Sequence, residues 1–126
     1  MNTALWIVQG LLALAFLMAG VMKVSQPKEK LVDKLGEWVN DFSESTLRLI
    51  GTVEILGAFG LVLPALTGIL PWLTGLAAVG LALTMIGGAL VHLKHKENAK
   101  VIANAVLLLL AAFVGYGRFV VVPFVA

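Results

Sequence analysis

Long apolar stretches alternate with short polar segments along this chain. The apolar stretches are rich in leucine, valine, alanine and glycine, and they cover about residues 4–22, 47–63, 70–93 and 101–117. A helix needs about 20 mostly apolar residues to cross the hydrocarbon core of a bilayer, which is ~30 Å thick. Modest tilt or local thinning of the bilayer lets slightly shorter or longer stretches span it. The pattern therefore predicts four transmembrane helices.

The polar segment at residues 27–42 has a helical pattern of its own. Its apolar positions recur at helical spacing, and they are Leu31, Leu35, Trp38, Val39 and Phe42. Most of its charged residues fall between them, which is typical of an amphipathic helix. Such a helix can lie in the membrane interface with Trp38 at headgroup level, or it can pack beneath the bundle as a lid. We predict a short amphipathic helix here and leave both placements open.

Composition agrees with a membrane protein. The 126 residues are 60% hydrophobic and only 13% charged, whereas a soluble domain has about 25% charged residues. No internal repeat or second domain is evident, so we predict one all-α, polytopic four-helix bundle over residues 1–126. The absence of cysteine excludes disulfide, thiolate-metal and thiol-redox chemistry by this chain alone. The net charge of +2 is not gathered into a patch that would bind nucleic acid.

The positive charges are distributed unevenly between the connections. The first connection and the end of the helix before it contain Lys23, Lys28, Lys30, Lys34 and Arg48. The third connection contains Lys94, Lys96 and Lys100, while the second, PALTGILP, has no charge. The positive-inside rule therefore predicts cytoplasmic basic segments and two external termini. The first apolar run has no basic residue before it and no small-residue cleavage site after it, so we expect it to be retained as a helix.

Small residues interrupt the second and third spans. The positions that we expect to mediate helix packing are Gly51, Gly57, Gly80, Thr84 and Gly88. Small side chains let helices approach closely in lipid, where apolar burial gives no driving force between helices. Gly80, Thr84 and Gly88 lie four residues apart and form one narrow face. We favour packing within one chain for this face, with a homodimer contact as the alternative.

A single carboxylate, Glu54, lies inside the second apolar run. It follows the start of that run by about eight residues, which is roughly 12 Å along a helix. Ionisable groups at such depth usually face the bundle interior and pair with one another, and they often mark a functional site. Arg48 precedes Glu54 by about 600° of helical rotation, so it faces another direction. Arg48 is better matched to Glu44, one turn earlier.

Each predicted transmembrane helix offers one polar group at a similar depth. Lys23 ends the first helix, His92 ends the third, and Asn104 lies about one turn into the fourth. We expect Glu54 to pair with Lys23, with His92 or Asn104 within reach through a hydrogen bond or a water molecule, and we predict that these four residues bind a ligand. Alternatively, Glu54 and Lys23 form a purely structural pair, or Lys23 is a helix-end anchor, His92 an interface residue and Asn104 a helix–helix hydrogen bond. One histidine beside one glutamate is not a metal-site pattern, so no metal is expected.

Three segments of the first three spans combine small residues with single polar ones, and they are FLMAGVMKV, GTVEILGAFGLVLP and LTMIGGALVHL. Together they resemble the DoxX-like family of small four-helix bacterial membrane proteins. The family pattern falls on Gly20, Lys23, Glu54, Gly57, Pro64 and His92. The resemblance implies four transmembrane helices and a location in the bacterial plasma (inner) membrane. Some relatives resemble subunits of a thiosulfate:quinone oxidoreductase and others accompany redox-stress proteins, so the resemblance does not imply one reaction.

Three function classes remain open. We favour an accessory or ligand-binding subunit that holds a quinone, a lipid or another small amphipathic molecule near the polar cluster, beside a membrane or redox-related protein partner. A small proton-coupled transporter using Glu54 is the first alternative, although the short exporters of similar length have their essential acid in the first helix. A membrane isomerase with Glu54 as proton donor is the second, and only His92 offers the second group that acid–base chemistry needs. We do not expect an enzyme acting alone.

Overall fold

The computed structural model describes residues 1–70 and 72–121, and most of these residues are helical. Its α-helices are α1 (Asn2–Ser25), α2 (Lys28–Leu35), α3 (Glu44–Thr67), α4 (Leu73–Lys94) and α5 (Asn98–Tyr116). A 3-10 turn at Glu37–Asp41 follows α2, and a π-helical turn at Gly117–Val121 follows α5. The four helices other than α2 are long and apolar enough to cross a membrane. The prediction of an all-α bundle with four membrane-spanning helices is therefore confirmed.

Two predicted span boundaries differ from the observed helix ends. We expected the second span to close at Pro64, but α3 continues to Thr67 and ends at Gly68, whose φ is 72°. The Gly68 N–H donates to the Pro64 carbonyl at 3.0 Å, so the turn that follows the proline is closed normally. The third span was predicted to start at residue 70, but α4 begins at Leu73 because Leu70 has a φ of 46°, outside the helical region. Pro71, which we expected in its first turn, lies outside the described residues.

The predicted short helix between the first two spans is confirmed as α2, but it ends at Leu35, so the segment at residues 27–42 is not one continuous helix. It is divided at Gly36, whose φ of 117° is in the region that favours glycine. The Lys100 ammonium group donates to the Leu35 carbonyl at the end of α2. It also lies 2.6 Å from the position of a Cβ added at Gly36. The break thus gives a lysine from α5 access to the end of α2.

α2 and the 3-10 turn pack beneath the bundle. Leu31, Trp38, Val39 and Leu47 form a buried apolar cluster that Val91 of α4 also contacts. These contacts correspond to the lid placement, and we call residues 28–42 the lid. The lid is held by side-chain packing from both sides of the bundle.

The four long helices form two closely packed pairs, α1 with α3 and α4 with α5. The bundle core between them contains Leu12, Phe16, Leu61, Leu81 and Val114, all of which are buried. We call the end of the bundle that holds the lid the basic end. We call the end with the uncharged α3–α4 connection the apolar end.

Arg48 joins α1 to α3 at the basic end. Its guanidinium lies 2.8 Å from the Glu44 carboxylate, which is the pair expected from the sequence. It also donates to the Lys23 carbonyl and, at 2.6 Å, to the Gln26 carbonyl. The last carbonyls of a helix have no partner within the helix. Arg48 therefore satisfies the end of α1 and fixes where α3 begins.

Candidate functional site

Glu54 meets Lys23 inside the bundle. The Lys23 Nζ atom lies 2.8 Å from Glu54 Oε1. Only 2% of the Glu54 surface and 9% of the Lys23 surface is exposed. This is the ion pair expected from the sequence, and it explains how a carboxylate is accommodated in an otherwise apolar stretch of α3.

Two glycines bring the helices that hold this pair together. A Cβ added at Gly20 would lie 2.6 Å from the Gly51 carbonyl oxygen, and one added at Gly51 would lie 2.8 Å from the Gly20 carbonyl oxygen. The backbones of α1 and α3 are therefore in direct contact at this crossing. Lys23 lies about one turn after Gly20, and Glu54 lies about one turn after Gly51. The crossing thus sets the distance between the two charged groups.

A cavity of about 610 Å³ lies beside the ion pair, between the two helix pairs. Lys23, Glu54, His92 and Asn104 all line it, so the structure brings the four predicted site residues to one space. The remaining wall is mainly apolar or small, and it includes Ala15, Phe16, Ala19, Trp38, Phe42, Leu49, Ile50, Val53, Thr84, Met85, Gly87, Gly88, Val91 and Leu107. Ligand sites of about 300–1,000 Å³ with apolar walls and a few polar groups are typical of small-molecule binding.

His92 is turned toward the lid rather than toward Glu54. Its Nδ1 atom lies 3.2 Å from Glu97 Oε1. Its ring meets the Trp38 ring edge-on, with centroids 5.4 Å apart. Trp38 in turn donates from Nε1 to the Leu35 carbonyl at 2.9 Å. We expected His92 or Asn104 to reach Glu54 through a hydrogen bond or a water molecule. Among the described residues neither side chain is hydrogen-bonded to Glu54, and His92 joins the cavity wall to the lid.

Two carboxylates outside the membrane-spanning segments complete the lid contacts. His95 Nε2 lies 2.7 Å from Asp41 Oδ2, and this hydrogen bond holds the pKa of Asp41 below its ordinary value. Lys100 Nζ lies 2.6 Å from Glu97 Oε2, and that hydrogen bond lowers the pKa of Glu97. Both carboxylates are therefore charged near neutral pH. The Asp41 contact attaches the lid to the α4–α5 connection. Glu97 joins His92 of α4 to Lys100 of α5, and Lys100 in turn donates to the Leu35 carbonyl at the end of α2.

Asn104 presents its amide to the cavity. The amide nitrogen packs against the Gly88 backbone, in the space that a side chain at Gly88 would occupy. Within residues 1–70 and 72–121 the Asn104 side chain has no hydrogen-bond partner. An amide without a partner in the wall of a cavity is available to a ligand.

The other small residues of the second and third spans have different surroundings. A Cβ at Gly57 would lie 2.7 Å from a Leu81 methyl carbon, so Gly57 is at an α3–α4 contact. A Cβ at Gly80 would meet nothing within 4 Å. Thr84 donates to the Gly80 carbonyl at 3.0 Å and lines the cavity. On the face of Gly80, Thr84 and Gly88, Gly88 therefore contacts another helix of the chain and Gly80 does not. The homodimer alternative stays a prediction.

A second buried polar cluster, at the apolar end, was missed from the sequence. Gln9 is fully buried and donates from Nε2 to the Leu61 carbonyl at 2.7 Å. Arg118 donates from Nε to Gln9 Oε1 at 2.6 Å and from Nη1 to Asn2 Oδ1 at 2.7 Å. The signal was present, since Asn2 and Gln9 lie about two turns apart on one face of an apolar helix. This cluster does not line the cavity.

Gln9 also has a structural task beside the proline of α3. Pro64 has no N–H, so it cannot donate to the carbonyl four residues before it, and its ring disturbs the helix there. Leu61 lies in that turn. In membrane helices such backbone groups are satisfied by neighbouring helices. Gln9 donates to the Leu61 carbonyl, one residue after the Gly60 carbonyl that Pro64 leaves without its helical donor, so it ties α1 to this turn and does not replace the missing donor.

Comparison with known proteins identifies the family. A model of the DoxX-like family matches residues 7–114, which is most of the chain. The matched range includes the lysine, glutamate and histidine that line the cavity, Lys23, Glu54 and His92. No curated protein and no solved structure matches the chain. Because the family match extends over far more than half of the sequence, the chain belongs to the DoxX-like family and is a multi-pass membrane protein.

Proposed function

We propose that this protein binds a small amphipathic molecule, such as a quinone or a lipid, in the cavity beside the Lys23–Glu54 pair. The observation that supports this most directly is that polar residues from all four membrane-spanning helices line one cavity of about 610 Å³. The protein then acts as an accessory or ligand-binding subunit beside a membrane or redox-related partner, in a bacterial plasma membrane.

The cavity wall has the chemistry to orient such a molecule. Lys23 and the Asn104 amide offer hydrogen-bond donors, and Glu54 offers an acceptor. All three lie toward the basic end, whereas Phe16, Met85 and Leu107 supply apolar wall. A ligand with one oxygen-bearing end is therefore held with that end at the ion pair. Its apolar part contacts the apolar side chains of the cavity wall.

Filling the cavity should remove the ligand without unfolding the protein. Gly87 lines the cavity, and a Cβ added there would meet nothing within 4 Å. Side chains in helices lean toward the preceding turn, so the ring in Gly87→Phe would lie near Thr84, another cavity residue. We expect solvent extraction and mass spectrometry of the purified protein to show a bound amphiphile that Gly87→Phe reduces by about tenfold or more.

The matched control is Gly10→Phe, because Gly10 also has nothing within 4 Å of an added Cβ and does not line the cavity. This variant should retain the amphiphile, and both variants should keep the thermal unfolding midpoint of the parent protein. Equal amounts of bound amphiphile in the parent and in Gly87→Phe would contradict the proposal. So would an extract of the parent that contains only detergent and bulk lipid.

We further propose that the basic end faces the cytoplasm and that both termini are external. The basic residues of the lid and of the α4–α5 connection support this orientation through the positive-inside rule. A cysteine introduced at Thr67 or Ile69 should react with an impermeant maleimide added to intact cells, and Glu97→Cys should react only after the membrane is opened. The reverse labelling pattern would overturn the orientation.

A further inference from the structure

A second apolar space lies beside the cavity, on the lipid-facing side of α3 and α4. It has a volume of about 340 Å³, and its wall includes Gly57, Gly60 and Gly80. We call it the α3–α4 groove. Val53 lines both this groove and the cavity, so the two spaces adjoin at that side chain. Val53 immediately precedes Glu54 in the chain.

The groove and the cavity differ in chemistry. Every described residue that lines the groove is apolar or glycine, whereas the cavity also has the polar groups of Lys23, Glu54 and Asn104. The groove also faces the bilayer, since Leu56 and Leu76 of its wall are 66% and 51% exposed. A space with polar groups inside the bundle and an apolar space at its surface therefore adjoin at Val53.

Gly80 keeps the groove open. A Cβ added there would meet nothing within 4 Å. Thr84, one turn later, directs its hydroxyl to the Gly80 carbonyl at 3.0 Å, so that hydroxyl is already satisfied within α4. Where the cavity and the groove adjoin, Val53 of α3 and the Gly80–Thr84 turn of α4 therefore both offer apolar surface. An alkyl or isoprenoid chain loses no hydrogen bond by lying there.

We propose that the ligand is a single-chain amphiphile whose oxygen-bearing head lies at the Lys23–Glu54 pair and whose tail passes Val53 into the α3–α4 groove. This inference rests on the proposed binding function and adds the tail and its route. The ligand enters sideways from the bilayer between α3 and α4. The lid, with Trp38 and Phe42 in the cavity wall, covers the basic end.

Two quinone probes with the same head separate the head site from the tail site. One is 2,3-dimethoxy-5-methylbenzoquinone, and the other bears an additional decyl chain. Binding is measured by quenching of Trp38 fluorescence in the full chain in mild detergent, after Trp6→Phe and Trp72→Phe remove the other tryptophans. Quinone rings quench tryptophan at short range, and Trp38 lines the cavity.

Gly80→Phe should act on the tail alone. Its ring would lean toward the preceding turn of α4, where Leu76 and Ala77 line the groove. We expect the dissociation constant of the decyl probe to rise by about tenfold or more, because the apolar contact area of its tail is lost. The dissociation constant of the tail-less probe should not change. Gly10→Phe should affect neither probe, and Gly80→Leu should give a smaller change of the same sign.

The outcomes separate this inference from the proposed function. Saturable quenching by both probes with no effect of Gly80→Phe would overturn the tail route and leave the binding function standing. Equal weakening of both probes would also overturn it, because the substitution would then act on the head site. Absence of saturable quenching by either probe in the protein that carries only Trp6→Phe and Trp72→Phe would overturn the binding function and the tail route together.

Discussion

Replacing Lys23 with methionine is expected to lower the free energy of unfolding by about 1–4 kcal/mol, because it leaves a buried carboxylate without its partner. Glu54 Oε1 has the Lys23 ammonium at 2.8 Å and is almost fully buried. Methionine keeps the length and the apolar stem of the lysine, so the substitution removes mainly the charge. Uptake of a proton by Glu54 in this variant would remove the unpaired charge, and the loss would then lie near the lower end of this range. Unfolding in mixed micelles, titrated with SDS, measures the change.

The double variant Lys23→Met/Glu54→Gln tests the pairing itself. It removes both charges, so it should recover much of the stability lost in Lys23→Met. Glu54→Gln alone completes the cycle, and the coupling between contacting groups is read from the departure from additivity. Arg48→Met with Glu44→Gln is the matched comparison, since that pair has the same 2.8 Å separation but is far more exposed. Additive effects at Lys23 and Glu54 would show that the two charges do not stabilise each other.

The same variants separate a structural pair from a ligand site. In a structural pair, the double variant is stable and retains any bound amphiphile. In a ligand site, it is stable but loses the amphiphile, because the groups that hold the polar end are gone. Stability and binding are therefore measured on the same preparations.

Hydropathy and charge along the chain were sufficient to predict the four-helix fold and the central Lys23–Glu54 ion pair. An apolar run of membrane length forms a helix because its backbone groups must be satisfied within it. A carboxylate within such a run then needs a partner at the same depth on another helix. Lys23 was the cation that ended a neighbouring helix at that depth, so the Lys23–Glu54 pair could be predicted without knowledge of the packing.

The details that were missed depend on how the helices and the lid are oriented relative to one another. Hydropathy and charge along the chain do not specify that orientation. His92 or Asn104 was expected to reach Glu54 through a hydrogen bond or a water molecule, but the His92 Nδ1 atom lies beside Glu97, which the turn after α4 brings back toward the ring. The lid was expected to be one helix, but Lys100 from α5 occupies the break at Gly36. At His92 the competing partner is a carboxylate five residues later, and at the lid it is a lysine 65 residues after Leu35. The cavity itself follows from how far the two helix pairs separate, and no single segment encodes that distance.

Gly51 is the residue at which the separation of α1 and α3 can be tested most directly. A Cβ there would lie 2.8 Å from the Gly20 carbonyl oxygen and 2.8 Å from the Lys23 Cβ atom. The first contact is with backbone, which cannot rotate away, so the helices must move apart. We expect Gly51→Leu to destabilise the bundle by about 1–3 kcal/mol or more, as overpacking does in well-packed interiors.

Gly10→Leu is the control for this substitution, because it makes the same change within a membrane-spanning helix where a Cβ would meet nothing within 4 Å. Its free energy of unfolding should stay close to that of the parent, and Gly51→Ala should lie between the two. Moving α1 from α3 also increases the distance between Lys23 Nζ and Glu54 Oε1, so the coupling between them should fall when the double-mutant cycle is repeated in Gly51→Leu. Equal stability of Gly51→Leu and Gly10→Leu, with the coupling unchanged, would show that the glycine crossing does not set the geometry of the ion pair.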